Sequence, residues 1–400
     1  MLYPCVTGES IARPADTLGW VQIEFRASER ASLGVEMELS LVSPETGELV
    51  SAASELLGVL GRGHPDGLHP KAKHELYECT VEVITGICAT PAEARADLAE
   101  TIGELRAVAE ARGLTLLSAG SHPFSHPHEQ HVSPDPRYAA LIEEMQWPAR
   151  RLQIFGIHYH VGVRSAEKSI AIANALQFYL AHLLALSASS PYWEGHDTGL
   201  ASCRVQVFEG LPTAGLPPVI ENWADFEQFM HTLVAAEAIK TIREVWWDVR
   251  PHPNFGTVEL RICDAMPTLR EVAAVGALVQ SLVHRLDARL DAGELLYIPR
   301  EWTIRQNKWL AARYGLDAKL IVDDEGTRMT ARDAVLELIE MLMPTAVELG
   351  CPEELADVAT ILRLGPSTDR QRAVVAGGGR LIDVVHTLID ELATDVPGAR

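Results

Sequence analysis

Glu36 and Glu38 lie two positions apart in the run Leu33-Gly34-Val35-Glu36-Met37-Glu38-Leu39-Ser40-Leu41. Period-two alternation puts Leu33, Val35, Met37, Leu39 and Leu41 on one strand face and Gly34, Glu36, Glu38 and Ser40 on the other. Carboxylates side by side repel and raise each other's pKa. Water or a bound cation relieves the repulsion. Taken alone, the run reads as a wet edge, because charged side chains are mostly exposed. The pattern recurs, however. In 74–85, Glu78, Thr80 and Glu82 share a face, and Glu75 falls on the opposite parity. In 154–163, His158 and His160 share a face with Gly156 and Gly162, which admit a close ligand. In 255–263, Glu259 and Arg261 alternate with Val258, Leu260 and Ile262. In 202–208, read as a further strand, Arg204 and Gln206 share a face.

If these strands are neighbours, their carboxylates converge and need divalent cations. Oxygen ligands select magnesium, with manganese as the substitute, over zinc. The arginines serve another purpose, since guanidinium forks grip phosphate or carboxylate. An acidic metal cluster with arginines suits a nucleoside triphosphate and an acidic substrate. The alternative is a metal-dependent hydrolase of an amide, in which the cation acidifies a water. An acidic binding module with a structural cation leaves Arg204 and Arg261 with salt bridges only.

The positioning elements follow from punctuation. Residues 1–31 read as an N-terminal arm with a short strand at 20–25. Thr90-Pro91 opens a helix as N-cap and first helical residue, ending at Gly113. Residues 114–119 form a strand, followed by a His- and Pro-rich loop. Its His122, His126, His128 and His131 belong either to a metal or substrate loop or to an ordinary irregular one. Ser165 caps a long apolar helix whose Asn174, Gln177 and His182 mark it as buried rather than membrane-spanning. Residues 222–247 read as mostly helical. Thr268-Leu269-Arg270-Glu271 is a capping box opening another long helix. Helices follow at about 301–315, 330–348, 352–364 and 379–394, with Gly377-Gly378-Gly379 as a joint.

The formal net charge of −21 over 400 residues excludes a basic nucleic-acid or anionic-membrane surface. Six cysteines without a Cys-x-x-Cys pair read as reduced thiols. The start shows no signal-peptide pattern, and the expected location is cytoplasmic.

Five of these segments, in order, resemble the glutamate–cysteine ligase type 2, or carboxylate–amine ligase, family. They are residues 33–38, 82–85, 120–124, 156–160 and 257–261. The helix Arg305-Gln306-Asn307-Lys308-Trp309-Leu310-Ala311-Ala312-Arg313-Tyr314-Gly315 is similar to that family's helix after the sheet. The resemblance implies an α+β, glutamine-synthetase-like fold: a curved, mainly antiparallel sheet forming a funnel backed by long helices. It implies a catalytic core at 32–320 with the helical part 321–400 packed on it. It also implies amide formation from a small carboxylate and an amine through an acyl phosphate, as in γ-glutamyl transfer to cysteine. ATP and Mg2+ would be required, and homo-oligomerisation stays open. By the same resemblance Glu36, Glu38, Glu82, His158 and Glu259 hold metal. An acidic ligand seven positions before Glu82 is Glu75. Its parity requires a bulge, or else Glu78 takes the role. Arg204, His160 and Arg261 would contact the nucleotide or the substrate carboxylate.

Overall fold

The computed structural model describes residues 23–399. Its centre is β1 (Leu33–Val42), the strand with the alternating glutamates. Six more strands join it in one sheet: β2 (Ala72–His74), β3 (Thr80–Ile84), β4 (Thr115–Leu117), β5 (Ile157–Gly162), β6 (Val249–His252) and β7 (Thr257–Leu260). The order is β6-β7-β5-β1-β3-β2, with β4 paired to the end of β1. Every pairing is antiparallel. That agrees with the expected antiparallel α+β architecture.

The period-two reading of β1 is borne out. Leu33, Val35, Met37, Leu39 and Leu41 are fully buried, while Glu36 and Glu38 are partly open. The helices are α1 (Ala53–Leu60), α2 (Pro91–Glu110), α3 (Pro136–Met145), α4 (Ala166–Leu176), α5 (Leu180–Ser187), α6 (Arg204–Phe208), α7 (Trp223–Ala235), α8 (Leu269–Asp291), α9 (Glu301–Tyr314), α10 (Ala331–Leu349), α11 (Pro352–Leu364), α12 (Ser367–Ala376) and α13 (Leu381–Thr394). The caps form as their residues dictate. Thr90, Ser165 and Thr268 side chains accept from the backbone N–H groups of Glu93, Lys168 and Glu271. Helices α2 and α8 cover the apolar face of the sheet. There the Tyr159 hydroxyl donates to the Val272 carbonyl at 2.8 Å. A Cβ on Gly276 would stand 3.3 Å from the Tyr159 ring, so α8 lies as close as a glycine allows. The apolar stretch Ala166–Ser187 is core: its two helices, joined by a 3-10 turn at Gln177–Tyr179, are mostly buried. Helices α10 and α11 pack on the outer side of α8. The five cysteines among the described residues are buried free thiols.

Three expectations need correction. Segment 202–208 is not a strand: Arg204–Phe208 is a short helix. Five residues alternating Val with polar groups fit one helical turn as well as a strand, and periodicity cannot separate them. Segment 74–85 is not one strand but a hairpin, with β2 antiparallel to β3 and a turn between. The region called helical up to 247 ends its helix at Ala235, and Trp246-Trp247 forms a parallel ladder with Ala214-Gly215. In the expected strand at 20–25, Trp20, Val21 and Gln22 lie outside the described residues, and Ile23 to Phe25 are not in a strand.

Candidate functional site

Register turns the alternating residues into rows across the sheet. One row is Arg250–Glu259–His160–Gly34, the next pairs His158 with Glu36, and the third is Glu38–Glu82–Lys73. Directly opposed residues in antiparallel strands carry Cβ atoms roughly 5 Å apart, so the rows are contact rows. They floor a cleft of about 490 Å³ that also takes in Glu75, Arg204 and Arg261.

At the β5–β7 side the charges are paired. Glu36 takes His158 Nδ1 at 3.1 Å and His160 Nε2 at 3.4 Å. Burial alone would raise the Glu36 carboxyl, but these two imidazole contacts hold it well below its usual range. Burial, then the Arg261 charge, pulls His158 down to about 4, so its imidazole is neutral at pH 7 and free to act as a ligand. Glu259 is 1% exposed and clasped between Arg250, with Nε at 2.7 Å, and Arg261. Burial opposes its charge, yet the two guanidiniums keep it ionised. One ligand atom each from Glu36, His158 and Glu259 lie within 4.8 Å of one another, close enough to share one cation.

At the β1–β3 side the carboxylates outnumber their close cations. Burial and the neighbouring Glu75 push Glu38 up to about 8. Burial and the charges of Glu36 and Glu75 push Glu82 up to about 8 as well, although Lys73 sits 2.7 Å away. Burial also raises Glu75. Lys73 pairs directly with Glu82, while Arg137, Arg204 and Arg261 act on Glu38 and Glu75 from farther away, so burial and mutual repulsion outweigh the attraction. Such a donor set fits a hard divalent cation.

The hairpin settles the parity of Glu75. It stands at the turn after β2 rather than in line with Glu82, and both line the cleft. A turn, not a bulge, brings them together. Glu78 points elsewhere: its carboxylate accepts from the Ser54 N–H at 3.0 Å and the Ser54 hydroxyl at 2.6 Å, at the start of α1.

Arg204 reaches the cleft from α6 although it is not on a strand. Its guanidinium donates to the Arg261 and Ile262 carbonyls at 3.2 and 3.3 Å. A Cβ on Gly156 would come within 2.3 Å of its Nη2, so Gly156 provides the space that the guanidinium fills. Behind it, the fully buried Asp264 accepts from the Ser190 and Ser202 hydroxyls at 2.7 and 2.9 Å, with Arg204 Nη1 at 3.9 Å. His160 donates to or accepts from Thr257 Oγ1 at 3.0 Å and lies 4.0 Å from Glu259.

In the histidine loop, His122 is tied into the scaffold. His122 Nδ1 accepts from the Ser125 N–H at 2.9 Å, and its Nε2 donates to the Gly47 carbonyl at 2.8 Å. That pattern is satisfied by the neutral ring, and burial lowers its pKa to about 4. None of His122, His126, His128 or His131 lines the cleft.

Sequence reasoning missed Arg250, Lys73 and Arg137, which line the same cleft. Pro251 hid the strand that carries Arg250. The signal was there, since Pro is tolerated on an edge strand and β6 is one. Lys73 faces Glu82 across a hairpin that the unbroken-strand reading did not contain.

A sequence profile for glutamate-cysteine ligase family 2 matches residues 32–386. A protein of Frankia alni provisionally named glutamate–cysteine ligase 2-1 is 54% identical over 378 residues, covering 94% of this chain and 99% of that protein. A Thermobifida fusca protein provisionally named glutamate–cysteine ligase 2 is 50% identical over 375 residues, covering 94% of each. Among solved structures, glutamate–cysteine ligase from Francisella tularensis in complex with AMP superposes with a TM-score of 0.66 at 14% identity, covering 92% of this chain and 90% of that one. A bifunctional glutathione synthetase from Pasteurella multocida also gives 0.66, at 15% identity, covering 92% of this chain and 53% of that one. At such identities the likeness is one of fold. The profile and the close relatives decide the rest: the chain belongs to glutamate–cysteine ligase family 2.

Proposed function

We propose that the cleft joins the γ-carboxylate of glutamate to the amine of cysteine at the expense of ATP. Family membership makes the chain an ATP-dependent carboxylate–amine ligase, and it displaces the hydrolase that the acidic faces alone left open. The observation that carries the finer reading is the make-up of the cleft. Five glutamates, Glu36, Glu38, Glu75, Glu82 and Glu259, face Arg204, Arg250 and Arg261 across one sheet surface. The acids suit cations, and the guanidiniums suit phosphate and a substrate carboxylate.

On this reading Glu36, His158 and Glu259 would hold one divalent cation, and Glu38, Glu75 and Glu82 would bear on another. Magnesium, when bound, neutralises the triphosphate and its developing charge. Arg261 and Arg204 orient phosphoryl oxygens or the acid, and His160 fixes Glu36 from the side opposite His158. The acid's oxygen bonds to the γ-phosphorus as the bond to ADP breaks. The amine nitrogen then bonds to the acyl carbon, phosphate departs with the bonding pair, and the nitrogen gives up a proton to solvent. Gly156 keeps the Arg204 guanidinium against the floor, and Asp264 holds it from behind. Residues 32–320 form the catalytic core on this reading, and 321–400 its helical support.

The test is ADP release, coupled to NADH oxidation, over a panel of carboxylates and amines with magnesium. Glutamate with cysteine should give release that needs both. No release with any pair would overturn the reading, and faster release with another pair would replace the substrates.

A further inference from the structure

One end of the cleft carries an aromatic surface that neither glutamate nor cysteine calls for. The turn between β6 and β7 brings Phe255 over His252. The Phe255 N–H donates to the His252 carbonyl at 3.2 Å, closing a turn that sets residues i and i+3 side by side. Their rings stack with centroids 4.2 Å apart and planes 16° from parallel. His160 stands edge-on to the Phe255 ring at 5.5 Å and to the His252 ring at 5.3 Å.

His252 backs the Phe255 ring, yet 58% of the residue remains exposed, and it lines the cleft. An apolar ring held out at the end of a polar cleft costs free energy unless something covers it. The turn that carries it is rigid. A Cβ on Gly256, with φ of +64°, would fall 1.6 Å from the Arg26 carbonyl oxygen, so the segment at Arg26 clamps the turn from outside. The Arg26 N–H donates in return to the Pro253 carbonyl at 2.9 Å. A ring fixed in this way loses little freedom when a ligand covers it.

The platform is continuous with the metal cluster. Phe255 touches His160, and His160 Nε2 lies 3.4 Å from Glu36, which with His158 and Glu259 can share a cation. One imidazole and one carboxylate therefore separate the ring from the place where phosphates would sit. A ribose and an α-phosphate would lie across those two side chains. Resting on the ligase reading above, we propose that Phe255, backed by His252, is the stacking platform for the nucleobase of ATP. Base stacking on an aromatic ring is tolerant of base identity, because every base has a π-face. Phe255 therefore sets affinity for the nucleotide and leaves the choice of base to other groups.

The experiment compares wild type with Phe255→Ala and Phe255→Trp, in magnesium, by calorimetric titration with ADP and separately with inorganic tripolyphosphate. Removing a stacked ring costs roughly 1–3 kcal/mol, so the Kd for ADP in Phe255→Ala should rise about 5- to 150-fold. Tripolyphosphate, having no base, should bind both proteins alike, and Phe255→Trp should restore ADP affinity. In turnover, KM for ATP should rise while KM for the acid and the amine stays put. Unchanged ADP affinity in Phe255→Ala, or an equal loss for tripolyphosphate, would overturn the platform. ADP binding is read without turnover, so a wrong substrate assignment leaves this result standing. Wild type that binds tripolyphosphate and ADP equally would also overturn it.

Discussion

Two places in this protein bury clusters of charge, and they are built on opposite principles. Beneath α8, Arg370 is set between Glu271 and Glu391. Its Nη2 is 2.9 Å from Glu271, its Nε 2.7 Å from Glu391, and its Nη1 donates to the Gly365 carbonyl at 2.7 Å. The side chains of all three are under 10% exposed, and both carboxylates bond directly to the one guanidinium they share. In the cleft, Glu82 is buried and Glu38 and Glu75 partly so, but the three crowd together with Lys73, which pairs with Glu82, as the near cation. The first cluster ties α12 and α13 to α8 and is complete. The second is incomplete, and its deficit is cationic. Burial of charge is thus not the mark of a site; burial without compensation is.

The contrast can be broken by substitution. Glu36→Gln should cut ADP release at least about 100-fold, since even groups one shell out from a metal are worth 10- to 100-fold. Its melting temperature should stay near that of wild type, because the amide oxygen still accepts from His158 or His160. Wild-type turnover in this variant would remove Glu36 from the metal site. Arg370→Ala should do the reverse, losing about 3–5 kcal/mol in denaturant unfolding because two carboxylates are left buried without a cation. The fraction still folded should turn over normally. Glu259→Gln belongs to both classes: it removes a metal ligand and frees two guanidiniums, so it should lose stability as well as activity.

pH separates the raised cleft carboxyls from the buried histidines by sign. Glu38 and Glu82 sit at about 8 in the folded, metal-free cleft, above the unfolded value of 4.5. Their contribution to stability is therefore full below pH 4.5 and is lost as pH rises toward 8. His122 and His182 in the scaffold are held near 4 by burial, below 6.5. Only the unfolded chain takes up their protons between pH 6.5 and 4, so each lowers stability on acidification by on the order of 3 kcal/mol. Unfolding measured with chelator against pH should show both trends. Saturating magnesium should abolish the loss between pH 4.5 and 8 and leave the acid-side contribution of His122 and His182 unchanged. A profile identical with and without magnesium would mean that no cation compensates the cleft. The smallest effect expected is the direct one. At neutral pH, magnesium at 100 times its Kd should stabilise wild type by about 2.7 kcal/mol. Glu38→Gln should raise the metal-free melting temperature slightly and shrink that increment.

The sequence by itself carried the alternation of β1, β5 and β7, and with it Glu36, Glu38, His158, His160, Glu259 and Arg261. Period two is a local property, and each strand displays it without reference to its neighbours. The caps at Thr90, Ser165 and Thr268 were legible for the same reason, since a side chain satisfies an N–H two or three residues away. Three matters were left to the tertiary structure. Glu75 converges with Glu82 because a hairpin folds the chain back, and the run 74–85 reads equally well as one strand. Arg204 enters the cleft from a helix, drawn there by Asp264 and two carbonyls about 60 residues on in the chain and admitted by the missing Cβ of Gly156. Arg250 reaches Glu259 across the β6–β7 hairpin, whose first strand the proline at 251 disguised. What the sequence left open was the balance of charge. Whether a buried carboxylate has its cation depends on what lies across the strand or behind the helix, and that is a property of the fold.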